Sequence, residues 1–430
     1  MTGMQNIIVL GGGYAGVGTA RALEKRIANN NNYRIILIEK REFFYHAVAA
    51  PRTLVEDIDN MIPYTGVFKH KKNQVVQASV VQLEPNQIHL DREFEGSHHV
   101  PFAFSVIATG TSHPDPFKLA TNSREEGTKR LANVRQQVKD AQSIVIVGGG
   151  PTGIEISGEI RGAYKDKKIT LVHRGSHLLS KEIPEKARMK LLEKMRQNNI
   201  HVIFNDTIPS LPAEHNESIH VPATAPFIHT EQGKKIDCDL LLVAFGNRPN
   251  TAWIDPSLLA KNGFVKVKPT LQVDVQGYET VYVVGDAADL QETKLAAKSR
   301  GHISVVTNNI AAAIKGNTKP SKVYNGSPNI SAITFGKQQG MIITPWFCLG
   351  DWVTGNLKGK TMMVERFWGE LGLQYPKQRS SENKSSWMLW MTGGFITLSA
   401  YYLLKSTYPS LLPSIQQSLI NLSQQRRISL

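Results

Sequence analysis

Asn6-Ile7-Ile8-Val9-Leu10, running straight into Gly11-Gly12-Gly13-Tyr14-Ala15-Gly16, decides the fold of this chain. The apolar run after Asn6 suits a strand buried on both faces. The loop places glycine at the first, third and sixth positions of Gly-x-Gly-x-x-Gly. Beyond it Val17, Ala20, Leu23 and Ile27 recur at helical spacing, which predicts a helix over 14–27. A polar turn at 29–32 leads to a second apolar strand, Tyr33-Arg34-Ile35-Ile36-Leu37-Ile38, closing at Glu39. Strand, glycine loop, helix and strand with a terminal acid are the parts of a dinucleotide-binding unit. Gly11 permits the tight turn, Gly13 lets the backbone approach a pyrophosphate, and Gly16 lets helix and strand pack closely. The helix N-terminus offers free N–H groups and a positive dipole end to the phosphates. Glu39, about 20 residues beyond the loop, is placed to accept hydrogen bonds from ribose hydroxyls.

The pattern recurs. Ser143-Ile144-Val145-Ile146-Val147 is a strand, and Gly148-Gly149-Gly150-Pro151-Thr152-Gly153 repeats the loop at Gly148, Gly150 and Gly153. A helix is predicted over 151–164, with proline in its first turn where it is tolerated. The next strand, Lys168-Ile169-Thr170-Leu171-Val172, ends not in an acid but in His173-Arg174. An acid there would repel a 2′-phosphate, whereas Arg174 can pair with one. The second unit is therefore expected to take NADPH in preference to NADH.

Composition narrows the remaining classes. At about 150 residues per domain, 430 residues make two to three domains. Only two cysteines, Cys238 and Cys348, exclude a disulfide-stapled secreted fold, a Cys-x-x-Cys redox pair and an all-cysteine zinc site. None of the 13 histidines belongs to a metal-spaced cluster, so no metal is expected; His98-His99 falls in a polar, hairpin-like stretch. No Gly-x-Ser-x-Gly nucleophile motif occurs. The net charge of +14 attracts anions such as nucleotides and acidic lipid headgroups. The longest basic block is Lys69-His70-Lys71-Lys72, and nothing reads as specific nucleic-acid recognition. The N-terminal apolar run enters the glycine loop directly and so reads as fold rather than leader.

Three more strands have tight exits: Phe104-Ser105-Val106-Ile107 into Ala108-Thr109-Gly110, Leu240-Leu241-Leu242-Val243 toward Phe245-Gly246-Asn247-Arg248-Pro249, and Val281-Tyr282-Val283-Val284 into Gly285-Asp286. In this order around two glycine loops, over 6–316, they resemble the two-dinucleotide-binding-domain flavoproteins, which are pyridine nucleotide-disulfide oxidoreductase-like. Within these, the disulfide reductases need a cysteine pair that this chain lacks. The finer resemblance is to the branch of apoptosis-inducing factor and ferroptosis suppressor proteins. It rests on Phe43-Phe44-Tyr45-His46-Ala47-Val48-Ala49-Ala50-Pro51-Arg52, on Gly153-Ile154-Glu155-Ile156-Ser157-Gly158-Glu159-Ile160, on Leu171-Val172-His173, and on Lys294-Leu295-Ala296-Ala297 followed by His302.

The resemblance implies an α/β protein with two Rossmann-like domains in the glutathione-reductase-like arrangement. The first unit would bind FAD and the second NADPH or NADH. Cofactor contacts would come from Gly11, Gly13, Gly16, Glu39, Arg52, Ala108, Thr109, Gly110 and Asp286, and from Gly148, Gly150, Gly153, His173, Arg174 and Gly246. It further implies an NAD(P)H:quinone oxidoreductase working by ping-pong, with hydride passing from NAD(P)H to FAD and two electrons then passing to a membrane quinone. Such transfer is mainly a matter of positioning. Lys294, at the start of the helix after Gly285-Asp286, would lie beside the flavin ring; Glu155 would face the nicotinamide; His46 would relay a proton to the quinone. Each has an ordinary reading too: a solvated lysine, a helix acid favoured by the dipole, a hydrogen-bonded core histidine. Two rival readings stay open, a redox-sensing signalling flavoprotein and a type II NADH dehydrogenase, the second opposed by His173-Arg174.

The expected domains are 1–115 and 247–320 for FAD, 116–246 for NAD(P)H, 321–380 as a small capping domain, and 381–430 as a hydrophobic tail. Residues 385–404 carry no charge and, at about 1.5 Å per residue, are long enough to cross a bilayer core of ~30 Å. Leu411, Leu412, Ile415, Leu419 and Ile420 follow at near-helical spacing, ending in Arg426-Arg427, as in an interfacial helix. The alternative is a helix pair that packs on the capping domain or on a second subunit, as in a homodimer. Lipid through the tail and a quinone acceptor are the expected partners. The expected location is intracellular, at the cytoplasmic face of the mitochondrial outer membrane, the endoplasmic reticulum or a lipid droplet.

The first loop yields a direct test. Gly13→Val puts a branched side chain where a pyrophosphate must approach, so the variant should purify without FAD and melt lower, having lost the stabilisation a bound ligand supplies. A yellow, normally stable Gly13→Val protein would refute the assignment.

Overall fold

The apolar run at the N-terminus becomes the strand Gln5–Leu10 at the centre of a five-stranded parallel sheet. The strand order is Val281–Val283, Phe104–Ile107, Gln5–Leu10, Tyr33–Glu39 and Gln74–Gln77. Ile7 pairs with Ile35 on one side and Phe104 on the other, and residues Ile7, Ile8, Val9 and Leu10 are wholly buried. A parallel sheet covered on both faces requires such a continuous apolar strand. The computed structural model describes residues 3–209, 227–246, 248–317, 319–320 and 322–376.

The helix Tyr14–Arg26 follows the first loop and stops one residue short of the expected end. Its Val17, Ala20 and Leu23 share a core with Val305, Val306 and Ile310 of the helix Ser299–Ile314. Two helices distant in sequence therefore cover the same face of the sheet, which places the loop before the first near the turn before the second.

A second, four-stranded parallel sheet is ordered Ile200–Phe204, Lys168–His173, Ser143–Val147, Leu240–Val243. It repeats the first plan. The strand before the glycine loop is flanked by the strand whose tip carries the ribose-side residue and by a strand that exits beside the loop. The chain leaves the first sheet after Ile107 and returns to it at Val281. The outward and return segments lie side by side, Thr111 opposite Pro249 and Ser112 opposite Arg248. The stretch holding His98-His99 lies in the antiparallel sheet Val80–Leu83, Gln87–Phe94, Ser97–Pro101.

The C-terminal part of the described chain builds an antiparallel sheet, Ser331–Phe335, Gln339–Ile343 and Cys348–Leu349, and then a π-helical turn, Gly355–Gly359. This sheet lies on the helix Pro151–Ala163, which ends one residue before the expected 164. A Cβ at Gly158 would come within 2.5 Å of Phe335 Cα, so only glycine allows the approach. The tail at 381–430, with its uncharged run, lies outside the described residues; among the described residues no helix is long and apolar enough to cross a membrane.

One buried ion pair ties these parts together. Arg52, on the short helix Ala50–Thr53, donates from Nε and Nη2 to the two carboxylate oxygens of Glu159, and from Nη2 to Gly359 O at 2.6 Å. Both side chains are almost fully enclosed, 3% and 2% exposed. Burial raises the Glu159 carboxyl above its ordinary range, and Arg52 opposes that rise. Removing one partner of such a pair strands the other charge away from water. Arg52→Ala should therefore lower the unfolding free energy by about 3–5 kcal/mol in urea denaturation; a loss below about 1 kcal/mol would place the pair among weak surface contacts.

Candidate nucleotide-binding and redox site

At the first loop two glycines are fixed by packing and one by open space. Gly11 has φ +104°, and a Cβ there would lie 2.6 Å from Ala108 O; a Cβ at Gly16 would lie 1.7 Å from Gly11 O. A Cβ at Gly13 would meet nothing within 4 Å. Gly13 is the N-cap of the helix Tyr14–Arg26, and no side chain caps that helix. Free N–H groups thus surround a cradle that a side chain would fill, as a pyrophosphate requires. Glu39 Oε2 accepts the Gly12 N–H at 2.6 Å, and Oε1 accepts the Arg41 N–H and Nε–H, each at 3.1 Å. Burial pushes the Glu39 carboxyl up, but Arg41 and these N–H groups outweigh it and hold it below the usual range. Tyr64 donates its O–H to Gly12 O at 2.8 Å. Arg41 and Tyr64 also line a cleft of about 430 Å³ with Lys69 and Gln77, large enough for part of an adenosine.

The second loop repeats this geometry. Gly148 has φ +122°, with Ala244 O 2.9 Å from a Cβ; a Cβ at Gly153 would lie 1.9 Å from Gly148 O; Gly150 faces open space at an uncapped helix N-terminus. His173 takes the place of Glu39: its Nδ1 accepts the Gly149 N–H at 3.1 Å. Burial first, then the neighbouring Arg174, lowers the His173 pKa, so the acceptor is neutral at pH 7. Arg174 is exposed and makes no ion pair among the described residues. Gly246 has φ +98° and also faces open space.

The connection between the units supplies further donors. Thr109 Oγ1 is buried without a partner, and Gly110 has φ +62° with open space beyond. Asp286 Oδ2 accepts the Thr111 O–H at 3.2 Å. Lys118, which carries no motif, donates to Thr111 Oγ1 at 2.9 Å and to Thr111 O. Burial lowers its pKa to about 8, with Asp286 acting in the opposite direction.

Three expected residues take different places. Lys294 lies in the loop before the helix Ser299–Ile314, not at the helix start. Its Nζ donates to Ala288 O at 2.6 Å and sits 4.7 Å from the Phe264 ring centroid, holding it beside the Gly285–Asp286 turn. Burial lowers its pKa, against the pull of Asp286. Arg52 is taken up by Glu159 and main-chain oxygens, so in this structure it is a clamp rather than a phosphate donor. His46 is fully buried, accepting Tyr14 O–H at Nδ1 (2.9 Å) and donating from Nε2 to Met362 O (2.8 Å). Burial lowers its pKa to about 4. Both ring nitrogens are thus engaged by hydrogen bonds within the protein.

Glu155 is buried one turn into the helix Pro151–Ala163. Its Oε1 accepts Lys358 Nζ at 2.6 Å, Thr334 N–H at 3.0 Å and Thr334 O–H at 3.1 Å, while Oε2 accepts no hydrogen bond among the described residues. Lys358 is the partner that sequence reading missed. Among the described residues no cluster of His, Cys, Asp and Glu is fit to hold a metal.

The sequence profile of the family described as pyridine nucleotide-disulphide oxidoreductase matches residues 5–313. Apoptosis-inducing factor homolog B of Dictyostelium discoideum is 31% identical over 396 residues, 86% of this chain and 98% of that one. Ferroptosis suppressor protein 1 of Mus musculus is 27% identical, over 85% of this chain and 96% of its own. The sulfide:quinone oxidoreductase structure from Aquifex aeolicus shares the fold, with TM-score 0.66 at 15% identity, over 85% of this chain and 91% of that one. With both glycine loops inside the matched region, the chain belongs to the pyridine nucleotide-disulphide oxidoreductase family, in its apoptosis-inducing-factor-like branch, and is an FAD-dependent NAD(P)H oxidoreductase.

Proposed function

We propose that this oxidoreductase passes electrons from NADPH, in preference to NADH, to a quinone held in a membrane. The observation that carries the nucleotide choice is the exchange at the strand tips. A carboxylate receives the loop N–H in the first unit, and in the second a neutral imidazole receives it, next to an arginine without an ion pair among the described residues. Ferroptosis suppressor proteins among its relatives and the sulfide:quinone oxidoreductase fold support a quinone acceptor.

Bound FAD would supply the two-electron chemistry, taking a hydride from the nicotinamide and giving electrons to the quinone. The first loop, Glu39, Thr109 and Asp286 would hold and orient it, and the second loop with His173 and Arg174 would hold the nicotinamide nucleotide. Lys294, tethered to Ala288 O, fixes a positive charge beside the Gly285–Asp286 turn, where negative charge on a reduced cofactor is stabilised. Glu155, anchored by Lys358 through one oxygen, would on this reading offer the other to the nicotinamide. On this reading 1–115 and 247–320 form the FAD-binding part, 116–246 the NAD(P)H-binding part and 321–380 the cap. The tail from 381 brings the site to lipid at a cytoplasmic membrane face, and Trp346, Phe347 and Trp352, exposed on the cap, suit an apolar neighbourhood.

Steady-state turnover with a short-chain quinone tests the reading. It predicts fast turnover and parallel double-reciprocal lines; a slow reaction ending in a long-lived charge-transfer complex would favour a redox sensor. Arg174→Glu should raise KM for NADPH by about 10–100-fold, the worth of a charged hydrogen bond, with little effect on NADH. Equal changes for both would show that Arg174 does not read the phosphate. Truncation after Lys384 should spare turnover of water-soluble quinones and abolish flotation with liposomes; undiminished flotation would locate the anchor elsewhere.

A further inference from the structure

The turn that carries Asp286 is held from behind by a chain of four polar groups, His302 and Lys298 buried and Glu292 and Tyr324 partly so, that the reaction itself does not use. Gly285 follows the strand Val281–Val283 with φ +72°, and a Cβ there would lie 2.8 Å from Ala15 Cβ in the first glycine loop. Its N–H donates to His302 Nδ1 at 3.0 Å. His302 sits in the first turn of the helix Ser299–Ile314 and is 2% exposed. Because Nδ1 accepts, the neutral ring carries its proton on Nε2, which donates to Glu292 Oε1 at 3.1 Å. Glu292 Oε2 accepts Lys298 Nζ at 3.2 Å and the Tyr324 O–H at 2.8 Å. The Tyr324 ring meets the imidazole edge to face, with centroids 4.4 Å apart. Glu292 and Lys298 are themselves 10% and 6% exposed.

A single main-chain N–H can be satisfied by a carbonyl or a water. Burying an imidazole, a carboxylate and an ammonium for the purpose has a desolvation cost, and such networks are retained where they specify a geometry. Glu292 fixes which ring nitrogen carries the proton and how the ring is turned, while Lys298 and Tyr324 fix Glu292. The ring in turn fixes the peptide plane entering Gly285, and so the direction in which the next residue, Asp286, leaves. We propose that His302 is a positioning residue for FAD: held by Glu292, Lys298 and Tyr324, it aims Asp286 at the cofactor by accepting the Gly285 N–H. The proposal rests on the reading that Asp286 contacts FAD.

Two amide substitutions separate the two bonds of the ring. In His302→Asn the side-chain oxygen reaches the position of Nδ1, keeping an acceptor for Gly285 and losing Glu292. In His302→Gln the amide nitrogen reaches the position of Nε2, keeping Glu292 and losing the acceptor. FAD affinity is measured by titrating the full-length apoprotein and following flavin fluorescence, with NADPH affinity at the second loop as internal control. His302→Gln should weaken FAD about tenfold and His302→Asn less than about threefold, with NADPH affinity unchanged in both. Equal losses, the reverse order, no loss, or FAD and NADPH falling together would overturn the proposal. Should a His302 variant not fold, Tyr324→Phe removes one donor from Glu292 and leaves the ring. A drop in FAD affinity of about twofold or more sustains the proposal, and unchanged affinity overturns it. Asp286→Ala separates the premise: if that variant binds FAD like the wild type, the reading of the turn fails whatever His302 does.

Discussion

Two peptide N–H groups, those of Gly12 and Gly149, set the terms for the rest of the molecule. Each belongs to the middle glycine of a loop that must lie open for phosphates, and each is satisfied by a side chain at the tip of the neighbouring strand, Glu39 in one unit and His173 in the other. Beside each bond the loop lies so close to the helix that follows that a Cβ at Gly16 or Gly153 would overlap the carbonyl of Gly11 or Gly148. The apolar parallel strands beneath need cover on both faces, and in the first sheet helices supply it on one side and the segments 78–102 and 254–288 on the other. The same acceptor position closes the loop in both units, with a carboxylate in the first and an imidazole in the second.

The second tier of the structure is polar and hidden. Arg52 with Glu159, and Lys358 with Glu155, both join the helix after the second loop to the segment around the π-helical turn Gly355–Gly359. The helix that would present its N-terminus to the nicotinamide nucleotide is thus held by the cap as well as by its own sheet. A change in the cap would be felt at Glu155, because Thr334 and Lys358 share its Oε1.

The glycine loops, the parallel strands and the acid-to-histidine exchange were readable because they are local patterns; expected and observed helix ends differ by one residue at Arg26 and Ala163. What escaped reading depends on pairing across the chain. No spacing joins Glu155 to Lys358 or Arg52 to Glu159, and Lys118 has no motif around it. The family resemblance puts Lys294 at the start of the helix after Gly285-Asp286. The chain instead keeps a loop there, closed by Leu290 N–H on Ala288 O, Glu292 N–H on Leu290 O and the Lys294 ammonium on Ala288 O, and the helix begins at Ser299. Nor does any local pattern join His46 to Tyr14 and Met362, which take its two ring nitrogens.

The central claim is that a neutral acceptor under the second loop, beside the exposed Arg174, selects the nucleotide that reduces the bound flavin. Anaerobic stopped-flow reduction of the wild-type holoprotein measures this in a single turnover, without any acceptor. The account predicts that flavin bleaching saturates at a lower concentration of NADPH than of NADH, with similar limiting rates, since hydride transfer itself does not involve the 2′-phosphate. Saturation by NADH at equal or lower concentration would contradict it.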